Sequence, residues 1–379
     1  MRAILHPEPM SEKRPATRRP ALPSLKDATA SSQSRKTLRA AATLARGTVL
    51  ANRYRVRSEI GSGGMGVVYS ATDLETGHDV AIKALILKAF TTANLRRFRR
   101  EAQMASSVRS RYVCHVSYLG VQQGAPFIVM ERLRGETLRR RLTETGPLST
   151  ADAVTIMIQM LEGLAVAHAG GVLHRDIKPS NIFITTPRGA APSVKIIDFG
   201  LAKLLPPAAA KPQLVSLAEE YSAITTTDMI PGTPFYLAPE QVSGARDLDE
   251  RVDVWASGLS FFEMLVGRRA YDASSHSVLA TSILRTSLPP VSSIRPDVPA
   301  LLDDVLRRAL AKEREDRFPT AAAFRAAMVD AWARVRVAGV ARGQRLGARL
   351  TSSTVPVVHE VGGEDATEID VDVSFDWDG

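Results

Sequence analysis

The sequence predicts an α+β protein with two lobes, a small N-terminal lobe of strands followed by a larger helical lobe. Apolar and charged residues alternate with a period of two in the first half, which is typical of strands with one buried face. Apolar residues recur at helical spacing in the second half, which is typical of helices with one buried face. A cleft between two lobes is the usual place for a ligand.

The strands are predicted from short apolar or alternating segments. Tyr54, Val56 and Ile60 alternate with charged residues, so they are expected to share one face of a strand. A glycine-rich turn follows at 61–66, and a helix is predicted at 94–106. We expect a sheet of about five strands. The predicted strands are 53–60, 67–69, 79–84, 116–120 and 126–131.

The helical lobe is predicted from four segments. Val154, Ile158, Leu161 and Ala165 have the spacing of one buried helical face, within a helix over 150–169. Thr150 is the expected N-cap, and the pair Gly170-Gly171 is expected to end this helix because glycine tolerates a left-handed turn. The other predicted helices are an almost wholly apolar, buried one at 252–266 and amphipathic ones at 300–312 and 320–333.

Composition excludes several classes of protein. The chain has 379 residues, of which 45% are apolar and 23% charged, as in ordinary globular proteins. Its single Cys excludes a disulfide framework and a cysteine-cluster zinc site, and fits a reducing compartment. No stretch reaches the roughly 18 uncharged apolar residues of a membrane span. The N-terminus has no apolar signal segment, so we expect a cytoplasmic protein without a membrane span.

The chain has a net charge of +9, and its strongest local charge imbalances lie at the two ends. Residues 1–46 carry ten basic and three acidic side chains and no apolar periodicity, which predicts a disordered basic tail. Residues 332–350 carry five arginines, and 351–379 carry eight acidic side chains and no basic one. These ends are candidates for docking partners, and the acidic end also fits an edge strand or an intramolecular clamp. Nucleic acid is not favoured as a partner, because the central region is only mildly basic.

The first motif is the glycine-rich segment from Gly61 to Val68, which has the pattern G-x-G-x-x-G-x-V. Glycines in such a turn let the backbone approach phosphate oxygens and present N–H donors. A flexible hairpin turn is the alternative interpretation. The segment lies between two predicted strands, which argues against a dinucleotide site of the strand–helix type.

The second motif is Val80-Ala81-Ile82-Lys83, a lysine within an apolar strand. A buried unpaired lysine is costly, so a functional Lys83 needs a carboxylate partner. Glu101 on the predicted helix is the best placed in sequence. The alternative is an edge-strand lysine that points to water.

Two further motifs place polar residues beside buried segments. His174 to Asn181 is a dense polar loop in which Asp176 and Asn181 are suited to supply a base and a metal ligand. Asp198, followed by Phe199 and Gly200, comes after a predicted strand at 194–197 and is a good ligand for a hard cation. The alternative for Asp198 is a cap of the next turn.

In this order and at these spacings, the four motifs resemble the protein kinase superfamily, specifically the bacterial Hanks-type Ser/Thr protein kinases. A fifth motif of that family, Ala238-Pro239-Glu240, is also present. The resemblance covers about residues 53–331. It implies the bilobal protein kinase fold within a domain at 47–331, with a β-rich N-lobe at about 53–131 and a helical C-lobe at about 134–331. Residues 332–379 would form a C-terminal tail, basic and then acidic.

The resemblance implies an ATP-dependent protein kinase that uses Mg²⁺, with Mn²⁺ as a possible substitute. Asp176 would accept the proton of the substrate hydroxyl and Lys178 would stabilise the transferring phosphoryl group. Asn181 and Asp198 would ligate the metal. The residues expected to bind ATP are Ile60, Gly61, Ser62, Gly63, Gly64, Met65, Gly66, Val68, Ala81, Lys83, Glu101, Met130, Glu131 and Leu133.

The same resemblance bears on substrate class and regulation. Lys178, two residues after Asp176, and the segment 232–236 are similar to the Ser/Thr type, so protein substrates are expected. Thr233 would bridge Asp176 and Lys178. Arg175 would receive an activation-loop phosphate, Thr225 and Thr227 are the expected autophosphorylation sites, and a homodimer would allow phosphorylation in trans.

Two structural roles are also implied, and two features depart from the family. Asp253 would anchor the catalytic loop, and Arg317 would pair with Glu240. The segment from Asp198 to Glu240 spans 43 residues, several more than usual, with a Pro- and Ala-rich insertion at 206–212. The transmembrane helix that follows the kinase domain in many bacterial relatives is not expected here.

Two other function classes fit parts of the pattern. A pseudokinase scaffold binds partners without catalysis, but such proteins typically lack equivalents of Lys83, Asp176 or Asp198, and all three are present. A small-molecule kinase of the aminoglycoside type lacks the G-T-x-x-Y and A-P-E platform for protein substrates, which this chain has.

Overall fold

The computed structural model describes residues 44–63, 66–85, 106–122, 125–185, 193–199 and 234–351. The chain divides into two compact units, Met1–Trp332 and Ala333–Gly379. The described part of the first unit has a β-sheet lobe followed by a helical lobe, which confirms the predicted α+β class. The predicted helix at 94–106 lies almost entirely outside the described residues.

The N-lobe is an antiparallel six-stranded sheet of strand order β1-β2-β3-β4-β6-β5. All the predicted strands are present. The sequence prediction missed β1, because a strand of two residues shows no alternation. The strands are β1 (Val49–Leu50), β2 (Tyr54–Gly63), β3 (Gly66–Asp73), β4 (Asp79–Leu85), β5 (Val116–Gln122) and β6 (Ala125–Glu131).

Strand β2 does not keep its alternation to the end. Tyr54 and Val56 are buried as predicted, but Ile60 is 48% exposed. The pairing of β2 with β3 shifts between Val56 and Ser58 and again between Glu59 and Gly61. Each such irregularity moves the following side chains relative to the pleat, which takes Ile60 out of the buried set.

One side chain links the two ends of this sheet. Gln122, at the end of the outermost strand β5, accepts a hydrogen bond from the Ala51 N–H at 3.0 Å. Its amide nitrogen donates to the Val49 carbonyl at 3.2 Å. The free edge of β5 is therefore tied to the β1–β2 turn at the opposite end of the strand order.

The C-lobe begins with a small antiparallel sheet of β7 (Gly135–Thr137), β8 (Ile182–Thr185) and β9 (Ser193–Ile196). Short 3₁₀ turns lie at Pro179–Asn181, Pro234–Tyr236 and Arg314–Asp316. The helices are α1 (Leu138–Thr145), α2 (Thr150–Ala169), α3 (Pro239–Val242), α4 (Arg251–Val266), α5 (His276–Arg285), α6 (Val291–Ile294), α7 (Ala300–Ala309) and α8 (Ala321–Thr351).

Helix α2 forms where predicted, with two corrections. Its N-cap is Ser149 rather than Thr150, because the Ser149 hydroxyl accepts from the Asp152 N–H at 3.1 Å. Its buried face is also rotated, so that Ile158 and Ala165 are only partly buried. The fully buried positions are Ala153, Val154, Met157, Met160, Leu161, Leu164 and Ala167.

Helices α2 and α4 form the centre of the C-lobe. Helix α4 is buried along nearly its whole length, as the apolar segment 252–266 predicts. By length and composition, α2 is the one helix among the described residues that is apolar enough to cross a membrane, and 44% of its most apolar window is buried inside the protein. Its buried side chains belong to the hydrophobic core of the lobe, so it gives no clear membrane span.

Helix α8 is longer than predicted. The amphipathic pattern at 320–333 predicts its first part, but the helix continues to Thr351 and has 31 residues. The continuation is rich in Ala and Arg, which have high helix propensity and need no buried face to form a helix.

Candidate active site

The loop from His174 to Asn181, called the catalytic loop below, is anchored by the fully buried carboxylate of Asp253 on α4. One oxygen accepts from the His174 N–H at 2.8 Å, and the other accepts from the Arg175 N–H at 2.6 Å. The hydrogen bonds expected between Asp253 and the loop backbone are therefore present. Bonds to an ionised acceptor are about twice as strong as neutral ones.

The loop backbone is strained at the anchored position. Arg175 has φ of 61°, a conformation that side-chain-bearing residues adopt at an energetic cost. The neighbouring His174 is buried, and its Nε2 lies 3.0 Å from the carbonyl oxygen of Ile197. The loop is thus joined both to α4 and to the segment that precedes Asp198.

Asp176 lies at the centre of a compact polar group. The Lys178 ammonium donates to its carboxylate at 2.8 and 3.1 Å. The Asn181 amide nitrogen donates to the same carboxylate at 3.0 Å and to the Asp176 carbonyl at 2.8 Å. Because the amide nitrogen of Asn181 is used in this way, its side-chain oxygen is the atom suited to a cation. The structure therefore brings together the three predicted residues of this loop.

Asp198 and Lys83 form an ion pair between the lobes, with 2.6 Å between Oδ2 and Nζ. Lys83 is buried in β4. Asp198 follows β9 and, like Arg175, has a positive φ, here 62°. The Ile197 N–H donates to the Asn181 carbonyl at 2.9 Å. The backbone just before Asp198 therefore lies beside the backbone of Asn181, the other candidate metal ligand. Glu101, the expected partner of Lys83, lies outside the described residues.

The other predicted nucleotide contacts come from the N-lobe strands and the segment after them. Ala81 is paired with Met130, and Val80 with Glu131. The Glu131 N–H donates to the His115 carbonyl at 3.0 Å, so the backbone atom of Glu131 left for the predicted adenine contact is its carbonyl oxygen. Leu133 follows the end of β6.

The glycine-rich segment forms the β2–β3 hairpin. Its pairs are Gly61 with Val68, Ser62 with Val67, and Gly63 with Gly66. A Cβ on Gly66 would lie 2.3 Å from the Ala84 carbonyl oxygen, whereas one on Gly61 would meet nothing within 4 Å. Gly66 is therefore required by packing against β4, a reason that the motif alone does not reveal. Gly64 and Met65 lie outside the described residues.

His168 is a site neighbour that the sequence analysis missed. It lies near the end of α2, with Nε2 2.8 Å from Asp253 and Nδ1 2.9 Å from Glu250. Burial lowers the pKa of His168, but the bond to Asp253 and the charges of Asp253 and Glu250 outweigh burial and raise it. Burial of Asp253 raises its pKa, yet its bond to His168 and the nearby histidines hold that pKa below its ordinary value. The sequence around His168 shows no spacing that indicates a contact with Asp253.

Arg139 is a second residue that the pattern misassigns. The arginine run at 139–141 indicates a solvated helix face, but Arg139 donates to the buried Glu263 carboxylate at 2.5 Å. The Tyr236 hydroxyl donates to the same carboxylate at 2.5 Å. Burial and the negative charge of Glu263 raise the pKa of Tyr236. This group fixes the end of the predicted substrate loop.

The predicted pair of Glu240 and Arg317 is present. The fully buried Arg317 guanidinium donates to both oxygens of Glu240, at 2.6 and 2.8 Å. It also donates to the carbonyls of Ala311 and Lys312, each at 2.8 Å. A guanidinium with this many acceptors is satisfied in the interior, so the pair has a structural role.

Several predicted residues cannot be placed. Thr225, Thr227, Thr233 and the insertion at 206–212 lie outside the described residues. Within the part of the chain that the structure describes, no group of three or more His, Cys, Asp or Glu residues is arranged to hold a metal ion.

Residues 54–328 match the protein kinase domain family. The chain belongs to this family. A probable serine/threonine-protein kinase of Corynebacterium efficiens is 38% identical over 72% of this chain and 40% of its own length. The serine/threonine-protein kinase PrkC of Bacillus subtilis is 35% identical over 73% of this chain and 40% of its own.

Solved structures agree with this assignment. The crystal structure of the PknI kinase domain of Mycobacterium tuberculosis superposes with a TM-score of 0.58 and 27% identity, and the match covers 76% of this chain and 100% of that domain. The chain therefore has bacterial Ser/Thr kinases as relatives and the protein kinase fold predicted from its motifs. It spans about 40% of the length of the curated relatives named above.

Proposed function

We propose that the chain is an ATP-dependent protein kinase that transfers the γ-phosphate of ATP to Ser and Thr hydroxyls of proteins. The observation that carries the proposal is the Asp176, Lys178 and Asn181 cluster on a loop anchored by Asp253. It is supported by the family membership and by the names of the relatives.

The loop residues have distinct tasks in this reaction. Asp176 accepts the proton of the substrate hydroxyl as that oxygen attacks the γ-phosphorus. Lys178, whose ammonium lies 2.8 Å from Asp176, places a positive charge beside the transferring phosphoryl group. Asp253 holds both in position through the loop backbone, because its bonds fix the strained segment at His174 and Arg175.

The donor set fits a hard divalent cation. Asp198 offers carboxylate oxygens and Asn181 an amide oxygen, which are the ligands preferred by Mg²⁺ and accepted by Mn²⁺. A metal bound there would neutralise negative charge on the phosphate oxygens. Lys83 is the residue proposed to contact the α- and β-phosphates, so the Lys83–Asp198 pair has to open or rearrange when the nucleotide binds.

The remaining nucleotide contacts are proposed from the kinase family pattern. The backbones of Glu131 and Leu133 bind the adenine edge next to Met130, with Val68, Ala81 and Ile60 around the base. The segment Gly61 to Gly66 covers the phosphates, and Glu101 pairs with Lys83 in the active state. The exposed position of Ile60 leaves its side chain available for such a contact.

Regulation by autophosphorylation is part of the proposal. Thr225 and Thr227 are the proposed sites, Thr233 is proposed to bridge Asp176 and Lys178, and a transient homodimer would allow transfer in trans. The Nε of Arg175 is buried and has no hydrogen-bond partner among the described residues, which supports a phosphate-binding role. A cytoplasmic location and partner docking by the two tails are proposed as well.

The test is transfer of labelled γ-phosphate from ATP, with Mg²⁺ or Mn²⁺, to the chain itself and to a mixture of protein substrates. The wild type should label Ser and Thr, and Asp176→Asn should lose the label while keeping ATP binding. Phosphopeptide mapping should find Thr225 and Thr227. Equal labelling of wild type and Asp176→Asn would refute the assignment of Asp176.

A further inference from the structure

Two ion pairs connect the N-lobe sheet with the C-lobe sheet among the described residues. The inner pair is Lys83–Asp198, at 2.6 Å. The outer pair is Glu131–Lys195, at 2.7 Å between Oε1 and Nζ. Glu131 ends β6 of the N-lobe, and Lys195 lies on β9, three residues before Asp198.

The outer pair is attached to the backbone that is proposed to bind adenine. The Glu131 carboxylate accepts from Lys195 and also from the His115 N–H at 2.8 Å. The Glu131 N–H in turn donates to the His115 carbonyl. The side chain and the backbone of Glu131 are thus both held at His115, which leaves this residue little freedom to move relative to its neighbours.

Strand β9 is attached to the same segment. The Cys114 N–H donates to the Ile196 carbonyl and the Ile196 N–H donates to the Tyr112 carbonyl, each at 2.8 Å. Lys195 also reaches the Val113 carbonyl at 3.4 Å. Backbone bonds therefore run from Glu131 to His115 and from residues 112–114 to β9, and the Glu131–Lys195 pair closes this chain of contacts into a ring.

The two pairs differ in what the nucleotide does to them. Under the proposed function, Lys83 turns to the phosphates and Asp198 to the metal, so the inner pair is given up. Neither Glu131 nor Lys195 offers its side chain to the nucleotide in that arrangement. The outer pair therefore remains as the ionic connection between the two sheets while ATP is bound.

We propose that Lys195 is a positioning residue for ATP, which sets the spacing between the adenine-binding backbone at Glu131 and the metal ligand Asp198. This inference rests on the proposed function of the site. A ligand that must contact both Glu131 and Asp198 binds more tightly when these two residues are correctly spaced, because its second contact then forms without further ordering. A ligand that contacts only the adenine end gains nothing from this spacing.

The test compares a spanning ligand with a one-ended ligand. Binding of a non-hydrolysable ATP analogue with Mg²⁺, and of adenosine alone, is measured by calorimetry on the full chain. In Lys195→Met the dissociation constant of the analogue should rise about fivefold, as expected for loss of a partly exposed ion pair. The dissociation constant of adenosine should stay within about twofold of the wild type.

Further variants separate positioning from folding. Lys195→Arg keeps the charge and should restore analogue binding. Glu131→Gln keeps an acceptor for the His115 N–H, and combined with Lys195→Met it should weaken analogue binding no further than either change alone. The matched control is Arg325→Met, which removes the Arg325–Glu162 pair of 2.8 Å within the C-lobe and should leave both ligands unaffected.

Two results would overturn the inference. Equal weakening of the analogue and adenosine would show that Lys195 supports only the adenine end, and unchanged binding of both would show that the pair has no role. Neither readout needs phosphoryl transfer. A wild type that binds the analogue but labels no protein would refute the proposed kinase activity and still leave the role of Lys195 decided by the variants.

Discussion

The two lobes of this protein kinase domain are stabilised in different ways. In the described part of the N-lobe, the buried charged side chains are Asp73, bound by Arg53, and Lys83, while the packed face of the sheet is apolar. The C-lobe buries ionised groups around α4, among them Asp253, Glu263 and Arg317. A buried ion that loses its partner costs far more than a lost surface contact. The region around α4 should therefore be sensitive to charge, and the apolar face of the N-lobe sheet to shape.

The strongest test of this contrast is Asp253→Ala. It removes the acceptor of the His174 and Arg175 N–H groups and leaves His168 with Glu250 as its remaining carboxylate neighbour among the described residues. We expect a loss of about 3–5 kcal/mol in the free energy of unfolding, and loss of phosphotransfer. Chemical denaturation measures the first and labelled ATP the second. A change below about 1 kcal/mol would contradict the anchoring role.

In the N-lobe the corresponding test is one of shape. Gly66→Ala places a methyl group 2.3 Å from the Ala84 carbonyl oxygen, so β3 and β4 must separate. We expect a destabilisation of about 1–3 kcal/mol. Gly61→Ala is the matched control, because its methyl group meets nothing within 4 Å and stability should change little. Similar unfolding midpoints for the two variants would refute the packing argument.

A smaller effect is expected at the arginine run of α1. Arg139→Met leaves the buried Glu263 with Tyr236 as its remaining donor, so we expect a loss of about 1–2 kcal/mol. Arg140→Met, at a side chain two-thirds exposed in its pair with Glu144, should leave the unfolding midpoint nearly unchanged, because water screens the pair. Thermal unfolding compares the two. Equal midpoints would place Arg139 on the solvated face after all.

The smallest effect concerns pH. The folded state raises the pKa of His168 above its ordinary value of 6.5, because Asp253 and Glu250 outweigh burial. The unfolded chain then binds fewer protons than the folded one between these two pKa values. Stability gained from the protonated imidazole is therefore full below pH 6.5 and is lost as the pH rises through the folded pKa.

This pH dependence is measurable as a difference between two proteins. The free energy of unfolding of the wild type should exceed that of His168→Gln by the largest amount near pH 6. This difference should shrink at higher pH, in denaturation curves recorded across that range. Glu250→Gln should reduce the pH dependence without removing it, because Asp253 remains. A stability difference that is constant with pH would show that the pKa of His168 is the same in the folded and the unfolded protein, and would contradict the raised pKa.

The sequence predicts most of this fold because its patterns are strong where packing decides the structure. The N-lobe strands and the buried helix α4 follow directly from the positions of apolar residues. The N-cap of α2 does not follow from the sequence pattern, since Ser149 and Thr150 are both good N-caps and only the structure distinguishes them. Strand irregularities such as the one before Ile60 have no signature in a single sequence.

The site residues, too, could be predicted from the sequence only in part. Asp176, Lys178, Asn181 and Asp198 are recognised by their spacing, and the structure brings the first three together. The supporting contacts of His168, Arg139 and Lys195 join residues far apart in the chain, for example 64 positions for Lys195 and Glu131. No local pattern encodes such a contact. The roles of Glu101 and of the threonines before Pro234 stay predictions.

The anchoring of the catalytic loop has a consequence for how the protein is made. Asp253 follows His174 and Arg175 by 79 and 78 positions. At about 5–20 residues per second, the ribosome adds that stretch in about 4–16 s. For most of this interval the nascent chain carries the loop from His174 to Asn181 but lacks the carboxylate that anchors it. If the proposed activity depends on this anchor, it can begin only after α4 has been synthesised, and a chain truncated before that helix should be inactive.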